Sequence, residues 1–211
     1  MLPDGVEYRR FDGEERLATK GDPVYGEPTD GKWRLWDANR SKLASILEAG
    51  LETGLTAGAT VLYLGAATGT TVSHLADFAG PTYAVEFAPR SMRELLSVAD
   101  GSGRKNLFPL LKDAREPQTY AHIVESDVDV LIQDVATRGQ ATVARRNRQF
   151  LGDDGRLVLA IKARSEDVTA TPDAVFETVL EELQESYAIE ARTRLDSTHD
   201  AHLGVVATPT R

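Results

Sequence analysis

The sequence predicts an α/β protein with a doubly wound, mostly parallel sheet of seven strands and helices on both faces. Three observations predict this class. From residue 60 onward, short apolar segments alternate with segments of helical periodicity. A turn from Gly65 to Gly69 separates the first strand from a helix-like segment. The last two strands follow each other without a helix, which predicts an antiparallel hairpin at one sheet edge.

The alternation assigns each element of the sheet. The predicted strands are residues 60–64, 82–87, 106–111, 128–132, 156–161, 187–195 and 202–207. The predicted helices are residues 38–51, 90–99, 118–125, 139–151 and 172–185, with a further one after the glycine turn. In the first helix, Asp37 is the expected N-cap. The expected buried stripe is Leu43, Ile46, Leu47 and Leu51, with Lys42 on its border.

Residues 1–36 are polar and turn-rich, which predicts a small β appendage before a main domain of residues 37–211. Extended pieces are expected near residues 6–10 and 32–36, spaced by glycines as in hairpins. The two tryptophans of this thin element, Trp33 and Trp36, are expected to fill a core, and the alternative is that one of them covers a partner surface.

Charge is unevenly distributed along the chain. The net charge is −9, with 6 lysines, 18 arginines and 33 acidic residues, a composition that suggests a high-salt cytoplasm. At face value this charge argues against a nucleic-acid partner. Residues 135–152 nevertheless contain no acid, and they carry Arg138, Arg145, Arg146 and Arg148. Either a basic patch or an ordinary solvated helix face explains this stretch.

Several classes of protein are disfavoured by simple counts. The sequence has no cysteine, which excludes disulfides and thiolate metal sites, and no metal site is predicted. It has no run of about 18 apolar residues, so no membrane span is expected. The first residues lack the profile of a signal peptide, and a cytoplasmic location is therefore expected.

The glycine turn indicates the ligand. Its glycines, Gly65 and Gly69, do not have the G-x-G-x-x-G spacing of a dinucleotide-binding turn. A nucleoside without phosphate therefore suits the turn better, and S-adenosylmethionine (SAM) is the favoured ligand. Glu86 ends the next strand and is placed to bind ribose hydroxyls, and Asp113 is placed to accept from an adenine amino group. The alternative is an ordinary α/β turn without a ligand.

Asp134 and Lys162 end two further strands, and the carboxyl ends of parallel strands meet at one edge of a sheet. A structural ion pair is one interpretation. The other is a reaction in which a weakly acidic hydroxyl attacks, such as methyl transfer to a ribose 2′-hydroxyl. A desolvated lysine near other cations has a lowered pKa, so it can act as base or stabilise the developing alkoxide.

Six segments occur in the order found in the fibrillarin family. They are residues 41–44, 64–71, 86–87, 113–114, 134–136 and 161–165. The chain resembles the archaeal fibrillarin-like proteins, the 2′-O-methyltransferases of box C/D guide ribonucleoproteins, over nearly its whole length, including residues 24–27. The resemblance implies the Rossmann-like fold of class I SAM-dependent methyltransferases and activity on rRNA and tRNA.

The resemblance also implies a site. A Lys-Asp-Lys-His catalytic set would comprise Lys42, Asp134, Lys162 and a histidine. The SAM contacts would be Gly65, Thr70, Thr71, Glu86, Phe87, Asp113 and Ala114, with Asp134, Val135, Ala136 and Thr137 at the methionine end. The family usually has Gln at the position of Thr137. Gapless alignment puts Ala201 at the histidine position, so we assign the role to His202 after a one-residue slip, with His199 as alternative.

The implied partners are a box C/D guide RNA, the target rRNA or tRNA, a Nop-domain scaffold protein and a kink-turn-binding ribosomal-type protein. Two other functions remain open. One is a SAM-dependent methyltransferase acting on a small molecule or a protein. The other is a non-catalytic assembly module of the ribonucleoprotein, which loss of the histidine would favour. The glycine spacing makes an NAD-dependent dehydrogenase a distant alternative.

Overall fold

Two β-sheets organise the chain, and the computed structural model describes residues 2–101, 103–125 and 127–210. The smaller sheet consists of β1 (Val6–Phe11), β2 (Glu14–Lys20), β3 (Thr29–Asp30) and β4 (Trp33–Leu35). It is antiparallel, with the order β1-β2-β4-β3. The pieces predicted near residues 6–10 and 32–36 are β1 and β4. Strand β2 was not predicted, because its charged first half conceals the buried residues that follow.

The larger sheet has seven strands. They are β5 (Val61–Leu64), β6 (Thr82–Glu86), β7 (Leu107–Leu111), β8 (Val128–Gln133), β9 (Leu151–Lys162), β10 (Tyr187–Arg194) and β11 (His202–Pro209). Their order is β10-β11-β9-β8-β5-β6-β7. Neighbouring strands are parallel from β7 to β9, whereas β11 is antiparallel to both β9 and β10. The predicted mostly parallel sheet with a terminal hairpin at one edge is confirmed.

Six α-helices accompany the strands in the described part of the chain. They are α1 (Lys42–Glu48), α2 (Thr70–Leu75), α3 (Pro89–Gly101), α4 (Gln140–Asn147), α5 (Ala163–Glu166) and α6 (Pro172–Leu183). Short 3-10 turns occupy Pro117–Thr119 and Arg148–Phe150. None of the described helices has the length and apolar character needed to cross a membrane.

Two cores fill the two faces of the larger sheet. In β5, Leu62 and Leu64 belong to one core, and Val61 and Tyr63 belong to the other, because alternate strand residues point to opposite faces. The first core includes residues of α4 and α6, and the second includes residues of α1, α2, α3 and the smaller sheet. Trp36 belongs to the second core, where it is 1% exposed and stacks on His74. The smaller sheet is therefore packed onto the larger one.

The first helix begins later than predicted. Residues 38–41 precede it, and Ser41 rather than Asp37 is the N-cap, because the Ser41 hydroxyl accepts a bond from the Ala44 N–H at 3.2 Å. The Asp37 carboxylate instead binds Arg16 of β2 at 2.9 Å. The predicted stripe is buried as expected, although Leu51 lies beyond the helix end. The late start makes Lys42 the first residue of α1.

Two other predicted helices differ in the structure. No α-helix forms over residues 118–125: the 3-10 turn Pro117–Thr119 is followed by turns over residues 120–123. The helix predicted over 139–151 ends at Asn147, and β9 begins at Leu151 rather than at Arg156. Val128 pairs with Leu151 and Val130 pairs with Arg156, so residues 152–155 form an irregularity within β9. Glycine suits position 155 there, because a Cβ would lie 2.6 Å from Leu151 Cδ1 and 3.0 Å from the Gly152 carbonyl oxygen. The turn signals at Gly152 and Gly155 therefore mark a local departure from regular strand pairing.

Candidate active site

A cavity of about 490 Å³ opens at the carboxyl ends of the parallel strands. It lies where the strand order reverses between β5 and β8, the position at which α/β sheets bind ligands. Ten of the residues predicted for the site line it: Gly65, Glu86, Phe87, Asp113, Ala114, Asp134, Val135, Ala136, Thr137 and Lys162. The sequence did not indicate its other polar lining residues, Ser91, Lys112 and Arg115. Lys112 and Arg115 flank Asp113, so proximity to that strand end was the available signal.

The turn after β5 requires glycine at its first position. Gly65 has φ +86°, and a Cβ there would lie 2.4 Å from the carbonyl oxygen of Asp134. Glycine therefore allows the ends of β5 and β8 to approach closely. Ala67, two residues later, has φ +49°, and its N–H donates to the Glu86 carboxylate.

The Glu86 carboxylate is held in one orientation. One oxygen accepts a bond from the Ala67 N–H at 2.9 Å, and the other accepts from the Ala88 N–H at 2.7 Å. The residue is 7% exposed and faces the cavity. Each carboxylate oxygen has a further lone pair. The geometry therefore suits two adjacent hydroxyl donors such as those of a ribose.

The other side of the cavity suits a planar ring. Phe87 is 68% exposed although it is a large apolar residue, and the buried Ala114 lines the wall. The Arg115 guanidinium binds the Asp113 carboxylate, with Nη2 2.6 Å and Nε 3.0 Å from Oδ2. This hydrogen bonding lowers the pKa of Asp113 below its ordinary value. Asp113 is thus an ionised acceptor at neutral pH.

Two lysines share one carboxylate at the rim of the cavity. Lys42 Nζ lies 3.2 Å from Asp134 Oδ2, and Lys162 Nζ lies 3.2 Å from Asp134 Oδ1. All three side chains are 15–19% exposed. The Lys42 contact meets hydrogen-bond geometry, whereas Oδ1 is buried without a hydrogen-bond partner in the described structure. Oδ1 is therefore a buried acceptor whose charged neighbour is the Lys162 ammonium.

Both candidate histidines lie near this cluster. His202 pairs with Lys162 across β11 and β9, so the two residues share one face of the sheet. Its Nδ1 donates to the Asp200 carbonyl at 2.7 Å, which leaves Nε2 with a free lone pair. Burial lowers the pKa of His202, and the charges of Lys42 and Lys162 add to the effect.

His199 is turned toward the start of α1. Its Nε2 donates to the Ala38 carbonyl at 2.8 Å, and its ring centre lies 5.8 Å from that of His202. Burial lowers the pKa of His199 as well. Ala201, which lies between the two histidines in the sequence, is buried and has φ +56°. The register with Lys162 supports His202 for the predicted role, which stays a prediction.

Thr70 and Thr71 do not line the cavity. The Thr71 side chain is buried, and its hydroxyl binds Ser41 Oγ at 3.1 Å. Thr70 begins α2 and borders a separate depression beside Arg40 and His74. Direct ligand contacts by these two residues stay predictions, and Thr71 contributes here by linking α2 to the N-cap of α1.

Residues 135–152 contain no acid in the sequence, but acidic side chains lie beside their arginines in the folded chain. Arg145 pairs with Glu185 at 2.7 Å, and Arg148 lies 3.8 Å from Asp153. Arg146 donates to the Arg115 carbonyl at 3.0 Å, and Arg138 is exposed. Glu185 from a distant segment and Asp153 just beyond the stretch therefore partly neutralise the cluster, and this favours the interpretation as a solvated helix face. Among the described residues, no group of three or more His, Cys, Asp or Glu could hold a metal ion.

Comparisons with known proteins agree with this geometry. The fibrillarin family model matches residues 6–211. The fibrillarin-like rRNA/tRNA 2′-O-methyltransferase of Halorubrum lacusprofundi is 67% identical over 208 residues, which cover 99% of this chain and 97% of the relative.

Solved structures extend the likeness to the fold. A crystal structure of a fibrillarin/Nop5p complex has a TM-score of 0.89 at 37% identity, covering 99% of each chain. Aeropyrum pernix fibrillarin with natively bound S-adenosyl-L-methionine has a TM-score of 0.82 at 40% identity, covering 98% of this chain and 100% of the other. The match spans both sheets and every residue of the cavity, and the chain belongs to the fibrillarin family.

Proposed function

We propose that this protein methylates the 2′-hydroxyl of ribose in rRNA and tRNA, using SAM, at nucleotides chosen by a box C/D guide RNA. The observation that carries the proposal is the Lys42–Asp134–Lys162 cluster at the rim of a cavity whose Glu86 is preset for a ribose. The names of its relatives agree with this activity.

The cavity fits SAM by its chemistry. Glu86 would hold the cofactor ribose, Phe87 and Ala114 would contact the adenine, and Asp113 would accept from the adenine amino group. Residues 134–137 would border the methionine end. Because Gly65 has no side chain, the part of the cavity next to Asp134 stays open. When bound, SAM supplies a methyl group activated by a sulfonium, so the protein must provide an oriented and deprotonated hydroxyl.

The protein's own residues can orient and deprotonate that hydroxyl. Asp134 Oδ1 is a buried acceptor without a hydrogen-bond partner, and it would receive the bond from the RNA 2′-hydroxyl. Lys162, 3.2 Å from this oxygen, would stabilise negative charge that develops on the attacking oxygen. His202 Nε2 offers a second lone pair for the proton. Lys42 holds the other carboxylate oxygen and so fixes the position of Asp134.

Target choice must come from partners. The chain has a net charge of −9, and its sequence contains no base-reading module such as an RRM, KH or zinc-finger motif. An acidic protein has too little positive surface to hold RNA tightly by itself. A Nop-domain scaffold, a kink-turn-binding protein and the guide RNA would supply the affinity and the sequence information. A fibrillarin similar in fold was crystallised with Nop5p, which supports the scaffold as partner.

Reconstitution tests the proposal. The isolated chain with SAM should methylate RNA barely or not at all. Addition of the scaffold, the kink-turn protein and a matching guide should produce one methylated ribose in the paired target, mapped by mass spectrometry. Efficient site-specific methylation by the chain alone would contradict the partner requirement. Assembly without any methyl transfer would instead support a non-catalytic module.

A further inference from the structure

Residues 24–27, which we call the strap, connect the smaller sheet to the glycine turn of the cavity. The strap lies between β2 and β3. Its Tyr25 is half-buried against the second core, and the phenol hydroxyl donates to the Thr68 carbonyl at 2.7 Å. Thr68 lies between Gly65 and Gly69, outside the set of residues that line the cavity. The strap thus reaches the site from behind.

The strap has a defined shape because Glu27 closes it. One Glu27 oxygen accepts from the Val24 N–H at 2.8 Å and from the Tyr25 N–H at 2.6 Å. The other oxygen accepts from Arg34 at 2.7 Å. These bonds lower the pKa of Glu27 against the opposing effect of its burial. An ionised carboxylate therefore holds the backbone that carries Tyr25.

Arg34 joins the strap to α2 and the residues that follow it. It is 0% exposed, and it also donates to Asp77 at 2.8 Å and to Ser73 in α2 at 3.1 Å. Arg104 binds the second Asp77 oxygen at 3.1 Å. A buried charge with this many partners cannot move without leaving one of them unpaired, and that is costly. The strap and α2 are therefore held together as one unit.

The turn that Tyr25 contacts determines where Glu86 lies. The Ala67 N–H, adjacent to Thr68, donates to the Glu86 carboxylate, and the Gly69 N–H donates to the Ala66 carbonyl at 3.0 Å. Gly69 has φ +97°, and a Cβ there would lie 3.3 Å from the Tyr25 hydroxyl. The Thr68 carbonyl and the Gly69 N–H belong to one peptide plane, and the Ala66 carbonyl and the Ala67 N–H belong to another. The bond from Gly69 to Ala66 therefore links the plane that Tyr25 holds to the plane that carries the Ala67 N–H. Ala67 is itself in a conformation unusual for alanine.

We propose that Tyr25 is a positioning residue for SAM binding: its hydroxyl holds the Thr68 carbonyl and so keeps the Ala67 N–H in place to orient Glu86. The inference rests on the proposed function, because Glu86 is there assigned to the cofactor ribose. Burial raises the pKa of Tyr25, so the phenol remains a donor at neutral pH. A phenylalanine would fill the same space without the bond.

Tyr25→Phe is the direct test. By isothermal titration calorimetry, the variant should bind SAM about three- to tenfold more weakly, the effect of one net hydrogen bond. Steady-state kinetics of the reconstituted complex should show a raised KM for SAM with nearly unchanged kcat. Tyr8→Phe is the matched control, because Tyr8 is an exposed tyrosine of the smaller sheet and lies outside the site. It should leave the affinity for SAM unchanged.

Two further measurements test the route through the turn. In the ligand-free protein, amide hydrogen exchange at Ala67 and Gly69 should accelerate in Tyr25→Phe but not in Tyr8→Phe. The effects of Tyr25→Phe and Glu86→Ala on SAM affinity should be less than additive, since both act on one contact. Full additivity, or unchanged affinity in Tyr25→Phe, would overturn the inference. If the wild-type chain failed to bind SAM, the proposed function itself would fall, and the exchange data would still report on the strap.

Discussion

At the scale of single residues, the arrangement around Asp134 distinguishes this site from a plain cofactor pocket. Two ammonium groups, one from the first turn of α1 and one from the end of β9, meet a single carboxylate. A structural ion pair needs only one of them. The second cation beside an acceptor without a hydrogen-bond partner is what a reaction at a hydroxyl oxygen requires.

Replacing Lys162 by alanine tests this interpretation. Methyl transfer in the reconstituted complex should fall by at least about a hundredfold, because electrostatic or acid–base assistance is lost. Calorimetric affinity for SAM should stay nearly intact. Lys105→Ala serves as control, since Lys105 is exposed and lies just before β7, at the opposite edge of the sheet. Full activity of Lys162→Ala would reduce the cluster to a structural ion pair.

The two histidines provide a second test at this scale. His202→Ala should slow methyl transfer, and His199→Ala should slow it less, because only His202 pairs with Lys162 in the sheet. Burial lowers the pKa of both histidines from the ordinary value, so a more acidic solution is needed to protonate them than to protonate a free imidazole. The wild-type rate should therefore decline only at a pH below the ordinary histidine pKa. If His199→Ala slowed methyl transfer more than His202→Ala did, the catalytic role would belong to His199.

At the scale of elements, the smaller sheet is joined to α2 by buried polar contacts rather than by apolar packing alone. Thr19 of β2 donates its hydroxyl proton to Asp77 at 2.6 Å, so it accepts from His74 Nδ1 at 2.7 Å. His74 is 1% exposed and stacks on Trp36. Burial and the charges of Arg34 and Arg104 hold the pKa of His74 well below 6.5. The histidine is thus neutral in the folded protein.

This neutrality predicts how stability depends on pH. As pH falls below 6.5, the unfolded state binds a proton at His74 before the folded state does, so the free energy of unfolding decreases. The slope from this group approaches about 1.4 kcal/mol per pH unit. Thermal denaturation of wild type and His74→Gln between pH 7 and 5 should show a smaller decline in the variant.

The control for that measurement is His122→Gln. His122 is exposed, so its substitution should leave the wild-type slope unchanged. If the free energy of unfolding declined with falling pH equally in wild type and His74→Gln, then His74 would not contribute to the loss of stability in acid.

At the scale of the whole molecule, acidic surface dominates. The net charge of −9 opposes compaction through self-repulsion, and this charge is screened by salt. We therefore expect the folded state to depend on high ionic strength.

The melting temperature should rise as KCl is increased from about 0.1 M to the molar range, because screening at about 1 M shortens the Debye length to roughly 3 Å. Circular dichroism at a series of KCl concentrations measures this directly. Sucrose at matched osmolality is the control, since it does not screen charge. A melting temperature that falls with KCl would mean that the ion pairs outweigh the repulsion.

Sequence patterns alone predicted the sheet and much of the cavity. Strands of a parallel sheet end at a common edge, so the sequence alone predicts that Gly65, Glu86, Asp113 and Asp134 lie close together. Family resemblance added Lys42 and the histidine, which no local pattern indicates. Helix ends were less predictable, as α1 shows, because Asp37 has an alternative partner in Arg16.

Tertiary structure decided the rest, because contacts between distant segments depend on packing and strand register. Lys42 and Asp134 are 92 residues apart, and they meet only because α1 packs against the larger sheet. Register between β9 and β11 places His202 beside Lys162. Residues 135–152 contain no acid, but Arg145 pairs with Glu185 in the folded chain, so the arginine cluster has acidic neighbours. What the sequence by itself determined was the order of elements and the residues at their ends, since these follow from local periodicity; which side chains touch was decided by the folded chain.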